Sequence, residues 1–446
     1  LLVAIQKLAQ SRGKTDIQAP DTMLDIRKIR ENPDFYRERL ERRHTGDDKL
    51  VARLVHLDEQ RRKLLQECEA LKSERNRASK EIGALKAQGV DIAEKSAAVN
   101  AINEQVSRLE QELARIEGEQ TDLLLRIPNI THDSVPAGQT SADNRVERVG
   151  GRAAQFNFPP RPHWEIGEQL GLFDLEAAAK ISGSGFIVFK GPGARLQRAL
   201  VNYLLDVHTS RHGYTEIAPP YLVRTECMTG TSQLPKFAED MYRVEAQPPL
   251  YLIPTAEVPV TNLHREEILS ADRLPIRYAA YTPCFRREAG SAGKDTRGFI
   301  RVHQFDKVEL VQIVAPEESY AALESLTGHA EGILRELGLH YRVVSLCAGD
   351  IGFGAAKCYD LEVWAPGIGA WLEVSSCSNF EDFQARRMNL RYKNKEGKNT
   401  FCHTLNGSAL ALPRLYIALL ETFQQVDGHI LVPEPLQPYL GGLKQI

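Results

Sequence analysis

The chain has 446 residues, a formal net charge of −3 and 26% charged residues. That length exceeds one typical hydrophobic core, so two or more domains are expected, and the near-neutral balance excludes nucleic-acid binding through overall charge; any such binding needs local basic patches. No apolar run reaches the ~18 residues of a membrane span, and seven scattered cysteines with no CxxC pair suit reduced thiols in a cytoplasm better than a disulfide framework.

Taken in chain order, residues 1–22 carry no patterned core. Their apolar run is too short for a signal peptide and no small-residue cleavage site follows, so this extension is expected to lie outside the native fold. A heptad pattern comes next. Leu50, Leu54, Leu57, Arg61, Leu64, Cys68, Leu71, Arg75, Ala78, Ile82 and Leu85 alternate steps of four and three, and after AQGVD the alternation resumes at Ile92 and Lys95 and runs to Leu123 and Ile127. Two long helices turning near Gly89 form an antiparallel coiled-coil arm over about residues 48–127, and Pro128 ends the second. Surfaces outside the seam are charged, as for an arm in solvent. Basic residues gather toward the turn, among them Arg75, Arg77, Lys80 and Lys86.

Residues 129–163 are rich in Pro, Gly, Ser and Asn and read as a linker. From 164 onward apolar strands alternate with helices. FIVFKGPGARLQRALVNYLLDVH reads as a strand, a Gly-Pro turn and an amphipathic helix, SYAALESLTGHAEGILRELG as a helix, and YDLEVWAP and GAWLEVSSCSNF as strands. The mixed order fits an α+β domain, an antiparallel sheet flanked by helices; no GxGxxG or P-loop is present. At its centre, YTPCFRREAGSAGKDTRGFIRVHQFDKVEL reads as a hairpin with a long Gly-rich, basic connection. Period-2 alternation puts Arg301, His303, Phe305, Lys307 and Glu309 on one face, with Arg286 and Glu288 on a common face of the incoming strand. Charge beside one aromatic, on a strand too apolar for an edge, suggests a cavity that grips phosphate through guanidinium and stacks a base on Phe305.

FRRE at 285–288, with KDTRGF and RVHQFDKVE, closely resembles motif 2 of the seryl-tRNA synthetases, and the similarity runs from about Met23 to Ile446. RHGYTEIAPPYLV resembles motif 1, with Pro220 as its proline in a strand at an edge or dimer interface. HTLNGSALALPRLYIALLE resembles motif 3, although only Gly407 survives of the generic motif's glycines and Pro413 precedes Arg414. The resemblance implies an N-terminal tRNA-binding domain at 23–128 and a class II synthetase catalytic domain at 164–446. It implies a cytoplasmic homodimer that activates L-serine with ATP and Mg²⁺ and charges tRNA(Ser) and, where present, tRNA(Sec). By the same resemblance Thr255, Ala256, Glu257, Glu309 and Ser408 would hold serine, with Thr255 and Glu257 on its ammonium. ATP would meet Arg286, Arg287, Glu288, Val302, Phe305, Glu373, Val374, Ser375, Ser376 and Arg414. Arg286, Arg414 and Glu373 would carry the chemistry, Glu373 and Ser376 would hold Mg²⁺, and Arg75, Arg77, Lys80 and Lys86 would meet tRNA. A carboxylate such as Glu373 on a buried strand needs a partner, and Glu309, as a carboxylate inside the cavity, would accept from both the serine ammonium and its hydroxyl, since a pocket built to bond a hydroxyl rejects an analogue lacking it. A tRNA-independent amino acid:carrier-protein ligase is the other reading; such paralogues resemble the catalytic half but lack the arm.

Overall fold

The computed structural model describes residues 24–289 and 297–446. The 1–22 extension and residues 290–296 of the Gly-rich connection lie outside the described residues.

The arm is two antiparallel helices, α1 (Leu50–Ala87) and α2 (Ala93–Arg126), joined by a turn in which Gly89 adopts φ +72°. At 38 residues α1 is about 57 Å long. The heptad positions from Leu50 to Leu85 are all buried or half-buried, and most residues between them are exposed. Lys95 departs from the expected seam. It is exposed and pairs across the hairpin with Glu81, while Ser96 takes the inward place, because a long ammonium side chain gains more from water and a facing carboxylate than from a narrow seam. Arg53–Glu119, Arg61–Glu117 and Lys72–Glu110 pair across the two helices in the same way. At the base, the short helices Ile26–Glu31 and Pro33–Glu41 close a core of Ile29, Tyr36, Leu40, Leu54, Leu57, Ile116, Leu123 and Ile127.

The second body is built on an eight-stranded sheet. Its strands are β1 (Arg145–Gly150), β2 (Thr215–Glu216), β3 (Ile276–Phe285), β4 (Gln304–Val314), β5 (Tyr341–Ser345), β6 (Lys357–Ala365), β7 (Ala370–Asn379) and β8 (His403–Ala411). The spatial order is β1-β5-β6-β7-β8-β4-β3-β2. All pairs are antiparallel except β2 with β3. Helices α3 (Gly191–Ser210), α5 (Ser319–Glu336) and α7 (Leu412–Phe423) pack on the sheet around Leu200, Leu204, Leu310, Leu323, Ile333, Leu361 and Leu415; α4 (Glu257–Thr261) and α6 (Phe383–Met388) are short.

Four further expectations change. The segment expected to be a linker supplies β1, whose sequence RVERVG is mostly exposed; charged residues on an edge strand look like a loop in sequence and protect the edge in space. Gly191 and Pro192 do not form a turn before α3 but open its first turn, where proline's missing N–H costs nothing. Pro220 lies between β2 and the strand Leu222–Arg224 rather than in a strand. Strand β3 stops at Phe285 and β4 starts at Gln304, so Arg286, Glu288, Arg301 and His303 stand on irregular backbone, with Glu288 at φ +50°. Their placement therefore follows from loop geometry, not from strand alternation.

Candidate active site

A cavity of about 730 Å³ opens over β4, β7 and β8. It brings together Thr255, Glu257, Arg286, Glu288, Val302, Phe305, Glu373, Val374, Ser376, Ser408 and Arg414, residues spread over 160 positions of sequence. Two chemically distinct ends share this space.

One end is small and polar. Thr255 and Glu257 sit where the chain enters α4, and Thr255 Oγ1 accepts the Glu257 N–H at 3.2 Å. The Thr-Ala-Glu string is thus both a helix start and part of the wall. Glu257 is buried, accepts from Gln384 Nε2 at 2.7 Å, and its carboxyl is pushed up to about 7 by burial and by the charge of Glu309. Lys307 Nζ donates to Thr255 Oγ1 at 2.9 Å and meets Glu309 Oε2 at 2.5 Å. Glu309 itself lies behind the wall, fully buried. Asn406 Nδ2 donates to its Oε1 at 2.5 Å and Ser408 Oγ to its Oε2 at 3.3 Å. The groups that line the pocket at this point are Lys307, Asn406 and Ser408. Ala256 is buried with Val260, Ala280 and Val311, and Ser375 donates to the Ser408 carbonyl at 2.5 Å; both support the wall from behind.

The other end is cationic and aromatic. The Arg286 guanidinium lies 5.2 Å from the Phe305 ring centre and its Nε donates to the Pro254 carbonyl at 3.4 Å. Arg301 pairs with Glu288 at 3.2 Å. Arg414, on the first turn of α7, donates to the Glu373 carbonyl at 2.9 Å and meets its carboxylate at 3.4 Å. Arg287 is exposed, outside the cavity lining. Glu373 was expected on a buried strand; its side chain is 47% exposed, toward the cleft.

A bulge explains how Glu373 and Ser376 share a face. Leu361 pairs with Ser375 and Glu362 with Glu373, which leaves Val374 as an extra residue. Without it, residues three apart on a strand point to opposite faces. Two hard oxygen donors thus stand on one wall. Behind them Asp360, opposite Ser376, has a carboxyl held well above the usual range by burial and by the charge of Glu373. This donor set fits a hard divalent cation such as Mg²⁺. Among the described residues no cluster of three His, Cys, Asp or Glu side chains is shaped for a metal.

Sequence reasoning missed several lining groups. Asn406 is within reach of it, standing two residues before Ser408 on the same strand; Lys307 is a lining group that alternation does place, on the cavity face with Phe305. Thr231, Ser232, Gln233 and the loop Gly352–Ala355 carry no local signal; tertiary folding alone delivers them.

Comparison with known proteins follows the same division of the chain. The family described as "Seryl-tRNA synthetase N-terminal domain" matches residues 23–131, and "tRNA synthetase class II core domain (G, H, P, S and T)" matches residues 242–423. The serine--tRNA ligase of Methylacidiphilum infernorum is 55% identical over 94% of this chain and 99% of its own. That of Akkermansia muciniphila is 56% identical over 94% and 98%. Among solved structures, the seryl-tRNA synthetase of Pyrococcus horikoshii complexed with ATP superposes with a TM-score of 0.89 at 39% identity, covering 95% of this chain and 99% of that one.

Proposed function

This chain belongs to the seryl-tRNA synthetase family, and from that premise we propose how its cavity activates L-serine with ATP and passes the seryl group to tRNA(Ser). The observation that carries the reading is the joining of the two ends: a pocket of Thr255, Glu257, Lys307, Asn406 and Ser408 opens directly onto Arg286, Phe305 and Arg414.

Serine enters the polar end. Its ammonium meets Thr255 and the Glu257 carboxylate, and its hydroxyl meets Ser408 and Asn406, which Glu309 holds in orientation. The adenine stacks on Phe305. Arg286 already covers one face of that ring, so the base takes the other and leaves the guanidinium to bridge the serine carboxylate and the α-phosphate. A carboxylate oxygen of serine attacks the α-phosphorus in line, the bond to the β-phosphate oxygen breaks, and pyrophosphate leaves. The terminal ribose hydroxyl of tRNA then attacks the seryl carbonyl and AMP leaves. No side chain serves as nucleophile; the rate comes from orientation and from fixed positive charge.

Arg414 moves from Glu373 to the γ-phosphate, which frees the Glu373 carboxylate. Glu373 and Ser376 are the residues that would hold Mg²⁺. When bound, that ion neutralises charge on the phosphates. The arm meets tRNA through Arg75, Arg77, Lys80 and Lys86 toward its tip; Arg77, Lys80 and Lys86 are exposed. Gripping of a folded RNA by shape and backbone needs charge along a rod and no base-reading groove. The carrier-protein reading leaves the arm without a task. We further place the chain in the cytoplasm, where its seven free thiols stay reduced, with tRNA(Sec) as a second substrate where it exists. It acts there as a homodimer through the face carrying Tyr221 and Leu222, each 42% exposed. Sedimentation at micromolar concentration tests the dimer.

The experiment for the activity is ATP–pyrophosphate exchange across the amino acids, followed by charging of tRNA(Ser). Exchange with serine and charging of tRNA(Ser) are expected. Exchange driven by another amino acid, or serine exchange without charging, would overturn the assignment.

A further inference from the structure

The cavity wall formed by Gly352–Ala355 is held from behind by the N-terminal part of the chain. Every carbonyl from Ile351 to Ala356 accepts a hydrogen bond from that part. Arg43 Nη1 donates to Ile351 and Gly352, both at 3.2 Å, and Nη2 to Ala355 at 2.7 Å. The Asn129 backbone N–H donates to Phe353 at 3.0 Å and its Nδ2 to Gly354 at 3.0 Å. The same Nδ2 reaches the Phe380 carbonyl at 2.9 Å, and the His132 N–H donates to Ala356 at 2.9 Å.

Arg43 is 3% exposed and its charge is spent on carbonyls, a use for which the rigid, five-donor guanidinium is suited and an ammonium is not. Burial lowers it to about 10, so it stays cationic at neutral pH. Arg387 reinforces the joint. It donates to Leu125 at the end of α2 at 3.1 Å and lies over the rings of Phe353 and Phe383 at 5.6 and 4.5 Å.

The wall so held borders the serine end of the cavity. A Cβ on Gly354 would come within 2.9 Å of Ser232 Oγ and 3.2 Å of the Phe380 ring. Phe380 leads into α6, whose Gln384 bonds Glu257. We infer that Arg43 and Asn129, both outside the catalytic domain, are positioning residues for serine: they fix the loop Ile351–Ala356 and with it the shape of the amino-acid pocket. The inference rests on the synthetase reading and deepens it, because the N-terminal domain then completes the active site as well as gripping tRNA.

The test is serine-dependent pyrophosphate exchange by the full chain carrying Asn129→Ala or Arg43→Gln, with melting temperatures recorded. Arg30→Gln is the control. It breaks the 2.7 Å pair with Asp58 inside the N-terminal domain and touches no loop carbonyl. The expected result is a rise of about five- to tenfold in KM for serine in both loop variants, with KM for ATP within about twofold of wild type. The control keeps the wild-type KM for serine even where its melting temperature falls. Should Arg43→Gln not fold, Asn129→Ala, which keeps its backbone donor, decides alone. A KM for serine unchanged in the folded loop variants, or raised equally in the control, overturns the inference. Absence of serine exchange in the wild-type chain would instead overturn the synthetase reading itself.

Discussion

A carboxyl that titrates near neutrality inside a substrate pocket makes binding depend on pH, and Glu257 is such a group. Its carboxyl is raised to about 7, so the folded state holds that proton more tightly than the unfolded chain. The stability it contributes is complete below the ordinary carboxylate range and is lost as pH rises through about 7. On the proposed reading serine binding runs the other way, because the ammonium would need the ionised form. The KM for serine should therefore rise as pH falls below about 7, approaching tenfold per unit. Glu257→Gln should flatten that limb at a high KM; a limb that survives the substitution assigns it to another group. Arg286 and Glu309 should separate by a different measurement. Arg286 is half-exposed and held by one long hydrogen bond and a ring, so Arg286→Ala should abolish exchange and leave the melting temperature nearly unchanged. Glu309→Ala strands the buried Lys307 ammonium and the Asn406 amide and should also cost about 3–5 kcal/mol of stability. Equal melting temperatures for the two variants would contradict the placement of Glu309 behind the wall. At this scale the sequence was legible along β4, where alternation marked Phe305 and Lys307, and at Arg286, Glu288 and Arg414, which a motif marked; alternation did not account for Arg286, Glu288, Arg301 or His303, which stand outside β3 and β4. The sequence was not legible for Arg43 or Asn129, whose task exists only once two distant segments meet.

The elements show why some were legible. The seam of α1 and α2 is local and periodic, so eleven spaced positions announce the arm, and the Gly89 turn follows from the break in period. Strand β1 is short and charged, and its ladder to β5 and the Arg148–Glu331 pair join residues distant in sequence. The bulge at Val374 is likewise invisible locally, yet it decides whether Glu373 and Ser376 share a face. The arm also yields a separable function. The Arg61–Glu117 pair and the core of Leu54, Leu57 and Ile116 lie on its proximal side. Replacing residues 67–110 by a short turn should therefore keep the base folded and serine activation near wild type, while charging of tRNA(Ser) falls by about a hundredfold or more. Neutralising Arg77, Lys80 and Lys86 in the intact arm should weaken tRNA binding and flatten its salt dependence by about 0.7–0.9 for each phosphate that is no longer neutralised. These three are exposed and off the seam, so helicity should not change. Normal charging by the shortened chain would remove the arm from tRNA recognition.

Across the whole molecule, the two bodies meet through both polar and apolar contacts. The carbonyls of Ile351–Ala356 bond Arg43, Asn129 and His132, and Phe383 of the catalytic body is buried in the core of the arm's base, with Phe353 packed beside it. Opening the base exposes apolar surface on both sides and leaves a buried guanidinium without acceptors, so base and sheet should open together. The distal arm has only its own narrow seam and crossing ion pairs, and exposed pairs of that kind contribute about 1 kcal/mol or less each. Hydrogen exchange should therefore show a gradient along the arm. Amides of Leu54–Arg61 and Ile116–Leu125 should be protected to the same free energy as those of β4 and β8, and amides from Ala78 through the Gly89 turn to Val99 should exchange far faster. Asn129→Ala should lower protection at the base and in the loop Ile351–Ala356 together, leaving the tip unchanged. A base that exchanges as fast as the tip would mean that the arm hangs from the catalytic body as an independent rod. Protection at the base that survives Asn129→Ala while the loop alone loosens would mean that the apolar joint around Phe353 and Phe383 suffices to hold the two bodies together.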